Sequence, residues 1–178
     1  MTITFVVLDT SYLLELLKVP TFWDEDDHRE ILERIDNATQ TGVTLLVAPG
    51  VVFEVADHIA DVRHEAERKR LASKWRDLVV AGLEGSSSLL FAVFQSDESN
   101  GLNSFVTEWC DVITNARPQA KDKGDIGLTD WGTVVVAQLL KTRRSKAKIH
   151  IWTKDRRLKR HEPDSEDNPY CGKQHASK

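Results

Sequence analysis

Apolar residues fall into two rhythms along the chain. Four short runs rich in β-branched and aromatic residues, at 3–8, 43–48, 89–94 and 149–153, are continuous rather than alternating. Strands covered on both faces have that pattern. Between the runs the spacing changes to intervals of three and four. Ile31, Leu32 and Ile35 stand among charges, which predicts a helix over 26–41. Past the second run, Pro49 sits where a first-turn proline belongs, and Val51, Val52, Val55, Ile59 and Val62 recur on one side, predicting a second amphipathic helix. Leu71, Trp75, Leu78 and Val79 mark a third within 65–81, stopped by Gly82 and the Gly-Ser-Ser-Ser stretch from Gly85. A further helix is read over 102–115, a polar connection over 117–127, and a last helix from Thr129 with Val134, Val135, Ala137 and Leu140 on its apolar face.

Strands alternating with helices imply right-handed crossovers and a parallel sheet. The expected class is α/β, three layers α/β/α around a central parallel sheet of four or five strands. Sites in such sheets form beyond the carboxyl ends of the strands, and that rule selects four acids. Asp9 follows the first strand, and Asp155 lies two residues past Thr153 at the end of the fourth. Glu54 stands in the first turns of the helix leaving the second strand, and Asp130 opens the helix before the fourth. Carboxylates brought to one cleft repel, and each keeps its proton unless something positive sits among them. A divalent cation is the simplest remedy; Mg²⁺ favours oxygen ligands and suits phosphodiester hydrolysis by activating water and neutralising phosphate charge. Singly, these acids also have ordinary readings: Asp9 and Asp130 as helix N-caps, Glu54 as a solvated helical acid, Asp155 as a turn residue. Asp125 reads as a loop acid.

Composition narrows the partners. With 178 residues, 40% of them apolar, the chain has material for one core. The net charge of −4 and pI of about 5.9 do not announce a nucleic-acid binder, so distribution matters more than total. Between 141 and 160, ten basic residues accompany Asp155 as the one acid. Arg143, Arg144, Lys154, Arg156 and Arg157 are the candidate phosphate contacts in that run, with Trp131 and Trp152 as candidate stacking rings. Asp24, Glu25, Asp26 and Asp27 form an opposite patch that repels nucleic acid or attracts a basic partner. Cys110 and Cys171 lack zinc-ligand spacing and fit a reducing compartment, so cytoplasm is expected. The six histidines show no metal-protease spacing, and no P-loop or hydrolase-elbow motif occurs. Neither a signal peptide nor a membrane span is read.

Taken in order, Val-Val-Leu-Asp9-Thr-Ser11, Ala-Pro-Gly-Val-Val-Phe-Glu54-Val, Leu128-Thr-Asp130 followed by Ala137, and Trp-Thr153-Lys-Asp155 resemble the PIN-domain ribonuclease family. The resemblance implies that Asp9, Glu54, Asp130 and Asp155 bind one or two Mg²⁺ or Mn²⁺ ions, with Ser11 and Thr153 orienting the acids. It also implies a metal-dependent endoribonuclease cutting RNA, many prokaryotic members resembling toxins of toxin–antitoxin pairs that are inhibited by a cognate antitoxin and are commonly dimeric. Two alternatives stand beside it: a PIN fold without activity that serves as a scaffold, and a receiver-like domain with Asp9 as phospho-acceptor. The sequence departs from the pattern in two places. The 76-residue interval from Glu54 to Asp130 is long, so the domain is read as 1–160 with a helical insertion around 63–123. No fifth strand is evident after Asp155, and 161–178 reads as a polar C-terminal tail.

Overall fold

The computed structural model describes residues 3–91 and 126–166. The helix read over 102–115, Asp125 and both cysteines lie outside them. Four parallel strands, β1 (Thr4–Leu8), β2 (Thr44–Val47), β3 (Leu89–Phe91) and β4 (Lys148–Trp152), form one sheet in the order β3-β2-β1-β4. Three are of four or five residues and β3 is a three-residue edge. The register runs Val7 beside Leu46 on one side and Ile151 on the other. Phe5 to Leu8 are all buried, and since successive strand residues point to opposite faces, both faces of β1 are covered. That is why the run reads as continuous rather than alternating.

Helices α1 (Thr10–Leu17), α2 (Glu25–Gln40), α3 (Pro49–Ala60), α4 (Glu65–Leu83), α5 (Leu128–Arg143) and the single turn α6 (Arg156–Lys159) connect and cover the strands. Each starts for a local reason. Asp9 and Asp24 cap α1 and α2 with their carboxylates, Pro49 occupies the first turn of α3, and His64 caps α4. The acidic stretch from Asp24 is therefore helix-starting chemistry, and Asp27 is 2% exposed rather than part of an open patch. Helix α1 ends on Lys18 at φ 58°, whose backbone N–H reaches back to Glu15 O and Leu14 O.

The far edge of the sheet corrects the tail reading for its first residues. Among the described residues β4 has no neighbouring strand on its outer side, and residues 161–166 fill the place with side chains. Asp164 Oδ2 accepts the Ile149 N–H at 2.8 Å and Glu162 Oε2 accepts the Ile151 N–H at 2.9 Å. Asp164 N–H returns to Ile149 O at 3.2 Å. Two carboxylates thus satisfy the edge N–H groups that another strand would take.

Candidate metal centre

Asp9 is built into the fold from both sides. Its N–H bonds Trp152 O at 3.0 Å, continuing the β1–β4 ladder past the end of β1. Its Oδ2 accepts from Ser11 Oγ at 2.7 Å, Thr153 Oγ1 at 2.9 Å and Ser11 N–H at 3.3 Å. Capping explains that oxygen. It does not explain Oδ1, which is buried without a hydrogen-bond partner. A buried carboxylate oxygen left bare is destabilising unless a proton or cation meets it. Burial accordingly pushes the Asp9 carboxyl up, against the hydrogen bonds from Ser11 and Thr153 that pull it down.

The other three acids line the same cleft of about 430 Å³. Glu54 reaches it from the second turn of α3 and accepts a short hydrogen bond from Thr10 Oγ1. Asp130 stands at the third position of α5, where one oxygen takes the Gly127 N–H at 2.8 Å. Desolvation, followed by the charge of Asp9 and then of Glu54 and Asp155, raises the Asp130 carboxyl to about 7 from 3.8, against the pull of the Gly127 bond. Asp130 thus feels each of the other three, which is what convergence means electrostatically. Asp155 caps α6, accepting the Arg157 N–H at 2.7 Å and the Arg157 guanidinium at 3.0 Å. Burial pushes its carboxyl up, but the Arg157 contacts outweigh that and leave it below the ordinary range. Glu54 and Asp130 beside an unpartnered Asp9 oxygen, with Asp155 neutralised by Arg157 at the rim, offer carboxylate oxygens throughout, the donor chemistry that a hard divalent cation takes.

The basic run does not behave as one surface. Arg143 and Arg144 lie at the C-terminal end of α5, about 20 Å along the helix from Asp130 and towards the amino ends of the strands, opposite the carboxyl ends that carry Asp9 and Asp155; Arg144 covers the Phe5 ring at 5.3 Å. Lys154 is committed inside the fold. Its Nζ bonds Glu15 Oε2 at 2.8 Å and Asp27 Oδ2 at 2.5 Å, and only 11% of its side chain is exposed. Lys159 is likewise buried against Glu162 and Glu166, and Lys141 pairs with Asp164. Arg156 and Arg157, exposed on α6, remain next to the cleft. Of the two tryptophans, Trp152 is 8% exposed and stacks on Tyr12, and Trp131 is half-buried and packs against His161 at 5.0 Å.

Sequence reasoning passed over four contributors. Thr10 sits between Asp9 and Ser11 and hydrogen-bonds Glu54, a role with no signature beyond its place. Glu15 is fully buried, and its signal is visible in retrospect as one acid inside Tyr-Leu-Leu-Glu-Leu-Leu. Phe22 and His58 line the cleft and belong to no motif. Among the described residues, the set of three potential ligands whose atoms lie within 4.8 Å of one another is His150, Glu162 and Glu166, not the cleft acids, and there the Lys159 ammonium bonds both carboxylates at 2.5 Å.

With this geometry in hand, a comparison with solved structures finds a crystal structure of FitAcB from Neisseria gonorrhoeae, at 15% sequence identity and TM-score 0.50, covering 88% of this chain and 91% of that chain. The likeness is one of fold. No family model matches the chain, and no curated protein matches it. No helix among the described residues is long and apolar enough to cross a membrane.

Proposed function

We propose that this chain is a metal-dependent ribonuclease that hydrolyses RNA phosphodiester bonds and acts as the toxin of a toxin–antitoxin pair in the cytoplasm. The observation that carries the reading is the cleft itself: Asp9, Glu54 and Asp130 line one cavity, with Asp9 Oδ1 bare and the Asp130 carboxyl raised to about 7. Asp9, Glu54 and Asp130 would hold Mg²⁺ or Mn²⁺, with Asp155 completing the set when Arg157 turns to substrate. When bound, the metal supplies Lewis-acid activation of water and offsets charge on the phosphate. Ser11 and Thr153 fix the orientation of Asp9 so that its free oxygen points into the site. Arg157, more than half exposed, is placed to leave Asp155 and meet a phosphate oxygen. RNA as substrate, an inhibiting antitoxin and a homodimer come from the PIN-domain resemblance of the four motifs, and the fold shared with FitAcB agrees with that resemblance.

The test is cleavage of a labelled single-stranded RNA by purified protein with Mg²⁺ or Mn²⁺, with chelator, and with Asp9→Asn. Cleavage that needs the metal and falls by at least about a hundredfold in Asp9→Asn supports the reading, since a removed charge-stabilising group typically costs 10²–10³ in rate. Cleavage surviving in Asp9→Asn, or none under any metal, refutes it.

A further inference from the structure

Resting on that reading, we propose that Phe22, braced by His58 at the mouth of the acid cleft, is a stacking platform for one unpaired base of single-stranded RNA, seating the neighbouring phosphate over the carboxylates. Phe22 lines the same cleft as the four acids and is 41% exposed, unusual for a ring beside so much charge. Its ring lies 4.6 Å from that of His58, at 57°. His58 is four residues, one helical turn, beyond Glu54 on α3, so the ring is backed by the helix that carries a catalytic acid.

The segment holding Phe22 is rigid. Thr21 has φ 73° and Lys18 φ 58°, left-handed conformations that non-glycine residues adopt only where the surroundings impose them. The surroundings are visible. Val19 N–H bonds Leu14 O at 2.9 Å and Phe22 N–H bonds Val19 O at 3.1 Å. Asp24 N–H bonds the buried Glu15 at 2.5 Å, and Lys154 ties Glu15 to Asp27. Lys154 adjoins Asp155 in sequence. One buried ammonium therefore ties the helices on either side of the aromatic segment to the Thr-x-Asp segment of the cleft.

An exposed ring lining the same cleft as the acids offers a nucleotide's base a surface beside the place its phosphate would take. A sugar or phosphate gains little from an aromatic face, whereas every base offers a flat π-surface to it. In a duplex both faces of a base are already stacked, so the platform selects unpaired strands.

The experiment is steady-state cleavage of a single-stranded oligoribonucleotide by wild type, Phe22→Ala and Phe22→Trp, together with substrates carrying one abasic residue at each position around the cut. Phe22→Ala should raise KM by about 5- to 100-fold, the range for loss of one base–aromatic stack, with Phe22→Trp restoring it. In wild type one abasic position should raise KM by a similar factor, and Phe22→Ala should erase that position's effect. Circular dichroism confirms that each variant folds. A KM unchanged in Phe22→Ala, or an effect equal at every abasic position, overturns the platform and leaves the ring to a protein partner. If wild type cleaves nothing, the hydrolytic reading fails separately. Anisotropy of a labelled single-stranded RNA with Mg²⁺ present then reads the platform alone: weaker binding by Phe22→Ala upholds it, and equal binding overturns it.

Discussion

Replacing Asp130 by Asn should make the metal-free protein more stable and the metal-loaded protein less so. The Asp130 carboxyl is raised from 3.8 to about 7 by burial and by three neighbouring acids. Between those values the folded chain keeps the proton while the unfolded chain releases it. The favourable contribution of a protonated Asp130 is thus complete below 3.8 and is lost progressively as pH rises to about 7. At about 1.4 kcal/mol per pH unit the full difference has a ceiling of ~4 kcal/mol. Asp130 is partly exposed, and solvent screening reduces this to ~1–3 kcal/mol. Asn keeps an oxygen for the Gly127 N–H and carries no charge, so in chelator its advantage over wild type should be small near pH 4, grow through the window and level off above pH 7. Mg²⁺ reverses the order, because a cation at a hundred times its Kd stabilises the wild type by ~2.7 kcal/mol and has lost a ligand in the variant. Urea unfolding at several pH values, with chelator and with Mg²⁺, measures both arms. A variant less stable than wild type in chelator at pH 8, or equal stabilisation of both proteins by Mg²⁺, refutes the reasoning.

Three further outcomes follow from the same contacts. Lys154→Met removes the buried ammonium that offsets the charges of Glu15 and Asp27 and should cost ~3–5 kcal/mol in urea unfolding; a loss under ~1 kcal/mol would show the pairings to be solvent-screened. Ser11→Ala removes the hydroxyl that aims Asp9 and should weaken Mg²⁺ binding about 10- to 100-fold by calorimetry, whereas an unchanged affinity would make Ser11 a helix-cap residue and nothing more. The Glu162 carboxylate, 3.8 Å from the His150 ring, raises the imidazole above 6.5, against the pull of burial. Its stabilisation is therefore full below pH 6.5 and lost as pH rises through the folded value; the NMR titration of His150 should have its midpoint above 6.5, and a midpoint below would contradict the contact.

Strands and most helices were legible because burial on both faces leaves continuous apolar runs and one-sided burial leaves a period of 3.6. Helix α1 escaped because Tyr12, Leu13, Leu14 and Leu17 are all buried, giving an apolar block with no polar face to set the period. The β4 edge escaped for another reason. Carboxylates from Glu162 and Asp164 bonding backbone N–H groups have no periodicity, so they looked like a polar tail. The four acids were readable from strand-end placement alone, but which oxygen of Asp9 is free is a three-dimensional fact. Counting charges from 141 to 160 failed for Lys154, whose partners Glu15 and Asp27 lie far away in sequence. It also missed that Arg143 and Arg144 precede β4 while Asp155 follows it, which puts them at opposite ends of that strand. Phe22 carries no motif; only its exposure beside the acids singles it out.

The central claim is that a divalent cation belongs between Asp9, Glu54 and Asp130. Anomalous diffraction from crystals grown with Mn²⁺ tests it most directly. The account predicts a single strong peak, or a close pair, in that cleft with Asp9 Oδ1 as a ligand. An empty cleft with Mn²⁺ bound instead at His150, Glu162 and Glu166 would contradict it.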